Sequence, residues 1–119
     1  MICDERMDNE CVALCNTLNS LPGIQTFESC CGHGKNNYRI WFRADNINDL
    51  CIPTMGCNRN YCGHIGWHIE INHVECPNKT VFLMEGPIGS ESYSAIDDII
   101  TTINSFVIDN NRIKQEAQK

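Results

Sequence analysis

The stretch Glu28–Lys35, ESCCGHGK, gathers several chemically capable residue types in one short run. Gly32 and Gly34 permit backbone conformations that turn successive N–H groups outward, and Lys35 adds a cation, so the run can form an anion-binding nest. Cys30 and Cys31 supply thiols, with His33 as a nearby base, so a thiolate nucleophile is a second reading. Thiol and imidazole together also suit a soft metal ion. A glycine loop that binds nothing is the plain alternative.

Arg39, Trp41 and Arg43 follow at every second position. On a strand that spacing puts them on one face. A tryptophan between two guanidinium groups can stack a base while the cations meet phosphate. The same three residues serve equally as a solvated strand face. Cys57, Cys62 and His64, with His68 close by, carry donor types that would select zinc. No pair of CxxC knuckles accompanies them, and packed thiols with surface histidines are the alternative. His68, Glu70 and Glu85 make an acid–base set if the fold converges them.

The elements that must position these residues read as follows. Residues 8–21 place apolar or cysteine residues at 11, 14, 15, 18 and 21, a helical spacing, with Asp8 or Asn9 as cap and Pro22-Gly23 as stop. Residues 24–30 read as a short strand, and 38–44, YRIWFRA, as a strand rich in aromatic and β-branched residues. Tyr38, Ile40 and Phe42 share its other face. Residues 45–51 suit a short helix, followed by a loop punctuated by Pro53, Gly56, Asn58, Asn60 and Gly63. Residues 65–74 predict a strand with Trp67, Ile69 and Ile71 opposed to His68, Glu70 and Asn72. Pro77-Asn78 turns into a strand over 80–85 that Gly86-Pro87 ends. A helix from Ser94 to Ile113 carries an apolar stripe and a capping-box-like start, Ser94 with Asp97, before a frayed charged tail at about 114–119.

The order α-β-β-α-β-β-α with short connections predicts an α/β (α+β) two-layer sandwich. Its four-stranded, mainly antiparallel sheet has two long helices on one face. The face bearing Arg39, Trp41, Arg43, His68, Glu70 and Asn72 then meets solvent, a ligand or a second subunit.

A chain of 119 residues fits a single domain and can build a core without staples. The acidic N-terminus lacks a signal-peptide pattern and no apolar run is long enough to span a membrane, which predicts a cytoplasmic protein with no membrane partner. The nine cysteines then read as reduced thiols without disulfides. The net charge of −6 argues against long nucleic acid. Between Cys30 and His68, however, four cations face two carboxylates (+2), against five and thirteen (−8) elsewhere. A positive centre in an acidic chain suits a small anionic ligand.

ESCCGHGK, the following YRIWF and the later FLMEGPIG resemble a group of small proteins encoded by phages and prophages, over nearly the full length. That resemblance carries no activity with it. The Thr26–Cys30 strand and the glycine turn after it are faintly similar to the substrate-binding fold of the wybutosine-synthesis methyltransferase family. That family has an arginine in the turn, absent here, so methyl transfer is not implied. A nucleotide-like ligand against the loop is.

The reading these strands support is a phage-type protein that sequesters an anionic nucleotide-like signal of Thoeris- or CBASS-type bacterial immunity, with no cofactor. The expected ligand residues are Cys31, Gly32, His33, Gly34, Lys35, Arg39, Trp41, Arg43, His68 and Glu85. Two alternatives stand beside it. One is a zinc-binding structural or interaction module using Cys57, Cys62 and His64. The other is a small nucleotide-cleaving or nucleotide-modifying enzyme using Cys31/His33 or His68/Glu85.

Overall fold

A computed structural model describes residues 9–75 and 79–117, with side chains over 10–75 and 79–109. It is an α+β fold built on one four-stranded antiparallel sheet in the order β1-β2-β4-β3. The strands are β1 (Ile24–Cys30), β2 (Asn37–Ala44), β3 (His68–Glu75) and β4 (Lys79–Ile88). Among the described residues four α-helices accompany them: α1 (Asn9–Asn19), α2 (Cys51–Cys57), α3 (Arg59–Cys62) and α4 (Ser90–Ala117). The predicted α-β-β-α-β-β-α order roughly fits: the short helix expected over 45–51 is a 3-10 turn at Ile47–Leu50, and α2 and α3 follow it. Asp8, the Pro77-Asn78 turn and the end of the tail fall outside the described residues, as do the side chains of the last predicted stripe position, Ile113, and of the tail. Among the described residues no helix is long and apolar enough to cross a membrane.

Alternation along β2 decides which way the sheet faces. Tyr38, Ile40 and Phe42 are fully buried, and they pack with Phe82 and Met84 of β4 against Cys11, Leu14, Cys15 and Leu18 of α1 and Ile96, Ile99 and Ile103 of α4. Phe42 and Phe82 stack at 5.7 Å between ring centroids. Burying side chains of this size removes about 1.5–3 kcal/mol worth of exposed apolar surface each, which makes this layer the chief stabilising feature. The Tyr38 hydroxyl donates to the carbonyl of Glu10 at 2.8 Å, and burial pushes its ionisation far above the usual range.

Four sequence expectations need correction. The stretch after residue 51, read as loop, folds into α2 and α3. Pro53 is tolerated because it stands in the first turn of α2. Gly56 is there for closeness: a Cβ would lie 2.7 Å from Ile103 Cγ1, so only glycine lets α2 approach α4 this tightly. β4 runs through Gly86-Pro87 to Ile88 instead of ending at Glu85. β3 starts opposite Glu85, so Pro87 lies beyond the reach of that neighbour. Gly86 passes beneath the Trp67 ring, where a Cβ would meet three ring atoms at 2.7 Å.

The third correction concerns Asn72. The β3–β4 register shifts between Ile71 and His73, so His73, not Asn72, takes the next position on the face of His68 and Glu70. The fourth concerns α4, which begins at Ser90 rather than Ser94. Gly89 supplies the positive φ of 73° before it, and the Ser92 hydroxyl donates to the Gly89 carbonyl at 2.7 Å.

Candidate functional site

Cross-strand partners in an antiparallel sheet share a face. The register therefore lays three polar rows across the face opposite the helices. The first is Cys30–Arg39–Glu85–His68, the second Glu28–Trp41–Leu83–Glu70, and the third Gln25–Arg43–Val81–His73. The strand alternation seen in the sequence thus does bring Arg39, Trp41, Arg43, His68 and Glu85 together. Leu83 and Val81 are nevertheless buried, beneath the long side chains on both sides of them. Trp41 stands half-buried in the middle row.

The arginines are already engaged. Arg39 Nε donates to Glu85 Oε2 at 2.7 Å, and Arg43 Nε donates to Glu75 Oε1 at 2.8 Å. The hydrogen bond from Arg43 holds the Glu75 carboxyl below the usual carboxylate range. Arg43 also lies 4.1 Å above the ring centre of Phe27, which sits at the β1 bulge. Both ion pairs run through Nε, not through the twin terminal nitrogens that grip a planar anion. His68 Nε2 stands 3.4 Å from Glu70 Oε1 and 3.7 Å from Glu85 Oε1. One donor atom from each of these three residues falls within 4.8 Å of the other two, the sole such trio among the described residues. A histidine with two carboxylates is a fair donor set for a divalent cation.

Sequence reasoning missed Glu28, Glu75 and Phe27 as members of this face. Glu75 reaches it through the bulge at Asn72, and Glu28 through the bulge at Phe27, whose ring lies against Arg43. The consequence is electrostatic. Arg39, Arg43 and Lys79 on this face stand against Glu28, Glu70, Glu75 and Glu85, three cations to four carboxylates, so the assembled face is acidic by one charge.

The CCGHGK loop sits at the end of the sheet nearest Arg39 and His68, as its place between Cys30 and Asn37 requires. Its N–H groups are largely spent internally. Gly32 N–H donates to Cys30 Sγ and His33 N–H to Cys31 Sγ, each at 3.4 Å, while those of Lys35 and Asn36 go to the Gly32 carbonyl at 3.0 Å. An open anion nest does not result. What the loop does make is a close Cys31–His33 contact, Sγ to Nδ1 3.7 Å. His33 is held at φ 52°, a left-handed conformation that is uncommon for a residue with a side chain and is a form of strain often found at functional sites. Gly32 packs on the backbone of Asn37, where a Cβ would lie 3.0 Å from the carbonyl oxygen. The Tyr93 hydroxyl donates to the Cys31 carbonyl at 3.3 Å, and its pKa is pushed up to about 12 by desolvation and then by Cys31.

Cys57, Cys62 and His64 do not converge as a trio. His64 Nε2 instead meets Asp98 Oδ2 at 2.7 Å, and Cys62 Sγ donates to the His64 carbonyl at 3.6 Å. Burial, then Cys62, pushes the Cys57 thiol up to about 12, so it stands neutral. Among the described residues Cys15, Cys30, Cys51, Cys57 and Cys62 are free thiols.

Set against known proteins, the chain matches no family model, no curated protein and no solved structure.

Proposed function

We infer that the open sheet face binds a small anionic, nucleotide-like ligand and holds it without chemistry. The observation that carries this reading is Trp41, half-exposed at the centre of the face between two guanidinium groups. The base stacks on the indole, worth about 1–3 kcal/mol. The phosphate takes the terminal nitrogens of Arg39 and Arg43. The acidic balance of the face favours a ligand that brings its own cation, and His68, Glu70 and Glu85 receive that cation beside the phosphate. In the setting implied by the resemblance to phage proteins, the role is sequestration of a nucleotide-like signal of Thoeris- or CBASS-type immunity.

Equilibrium dialysis against a panel of mono-, di- and cyclic nucleotides, with Mg²⁺ and with chelator, tests this. Binding should appear with Mg²⁺ and weaken with chelator. Trp41→Ala should weaken it by about 1–3 kcal/mol, and Arg39→Ala by about 1.5–3 kcal/mol through loss of a charge-assisted bond. Full affinity in both folded variants would reject the face as the site.

The Cys31–His33 contact favours a second reading, a thiol-dependent enzyme acting on the same ligand class. Chromatography of ligand released by denaturing the complex separates the two. Intact ligand supports holding; a cleaved or modified product, abolished in Cys31→Ala, moves the assignment to catalysis.

A further inference from the structure

β3 ends the sheet, and its ladder has an internal symmetry. Because the bulge absorbs Asn72, the strand presents seven positions to β4: His68, Ile69, Glu70, Ile71, His73, Val74 and Glu75. Read by type, they run His-Ile-Glu-Ile-His-Val-Glu. Set antiparallel to a copy of itself about Ile71, that order pairs His68 with Glu75, Ile69 with Val74, Glu70 with His73, and Ile71 with Ile71. Every polar pair is imidazole to carboxylate, and every apolar residue meets an apolar residue.

Neighbouring registers that keep the faces aligned fail. Centring on Glu70 sets Glu70 against Glu70 and His68 against His73. Centring on His73 sets Glu70 against Glu75. Like charges opposite each other destabilise a pair, so the pattern selects one register and disfavours those beside it. Ile71 and Val74 are 64% and 66% exposed although they lie on the helix-facing side of the sheet. The residues from Glu70 to Val74 are all exposed.

We propose that a second copy of this chain pairs along β3, antiparallel and centred on Ile71, joining two four-stranded sheets into one. The pairing satisfies the open ladder edge and covers Ile71 and Val74. It also brings His73 and Glu75 of the second copy beside Glu70 and His68, so each candidate site is completed by its neighbour. The pairing stands independently of which ligand the face takes.

Sedimentation velocity over a concentration series gives the first measure, and a dimer is expected for the unaltered chain. The doubly substituted Glu70→Lys/Glu75→Lys protein and the doubly substituted His68→Glu/His73→Glu protein should each associate on the order of a hundredfold more weakly. Their circular dichroism should be unchanged. Mixed together, they should recover the dimer, since the new lysines then face the new glutamates and each remaining imidazole faces a carboxylate. Ile71→Cys supplies a register-specific check. A residue that faces itself across the two-fold lies within disulfide reach, so oxidation should cross-link this variant beyond the background of the unaltered chain. Ile69→Cys and Val74→Cys, each alone, should not. A monomer at the highest soluble concentration overturns the proposal. So does a dimer indifferent to both charge variants, or cross-linking at 69 or 74 in place of 71.

Discussion

At β1, Asn19 reaches from the end of α1 to the outer backbone. Its Oδ1 accepts from the Thr26 N–H and its Nδ2 donates to Thr26 Oγ1, both at 2.8 Å. A bulge at Phe27 follows, with the Arg43 guanidinium over the ring. At β3, among the described residues, no side chain hydrogen-bonds to the backbone, and two β-branched aliphatics stand in solvent. One edge carries its own closure, and the other carries a pattern that a copy can close. A bulge is an ordinary means of spoiling an edge. Here the two bulges differ in effect: the β1 bulge brings Glu28 opposite Trp41, while the β3 bulge restores symmetry about Ile71.

One cross-strand row spans both edges: Thr26, Phe42, Phe82 and Ile71. Phe42→Ala, in the buried middle, should cost about 3–5 kcal/mol in urea unfolding. Gly86→Ala comes next, at about 1–3 kcal/mol, because the new methyl collides with an indole already packed 5.3 Å from the Tyr38 ring. Asn19→Ala should cost about 0.5–1.5 kcal/mol and speed amide exchange at Thr26, with β3 unaffected. Ile71→Thr should change the stability of the separated chain by under about 0.5 kcal/mol while weakening association. Equal effects of Ile71→Thr and Phe42→Ala would erase the contrast between edge and centre.

The smallest effect is in acid. The Glu75 carboxyl is depressed in the fold, chiefly by Arg43. Its contribution is therefore present above the ordinary glutamate value of about 4.3 and lost as pH falls through the lower folded value. An NMR titration should show Glu75 protonating below the ordinary glutamate value, and Arg43→Gln should bring it back up towards that value.

The strand over 38–44 was legible because alternation has a fixed period and its two faces differ completely. Helix α1 was legible from its apolar spacing. The helices over 51–62 were not, because Pro53 and Gly56 read as breakers until the first-turn position of one and the Ile103 neighbour of the other are known. The Arg39-Trp41-Arg43 face was legible as a face but not in its charge. Glu85 and Glu75 lie 46 and 32 residues away in the chain from the arginines they meet. A bulge moves every later side chain to the opposite face, and nothing local in INHVE announces one.

Leu83 and Val81 lie on the face that no helix covers, yet they are 6% and 0% exposed. A thin greasy layer therefore separates the hydrogen-bond ladder of the two central strands from bulk water on that side. β2 and β4 are kept dry from both directions, though only one direction has a true core. Their amide protons should persist in deuterated solvent far longer than those along β3. Trimming Trp41 or Arg43 should let water in, hastening isotope exchange at residues 81 and 83 before any loss of global stability is measurable.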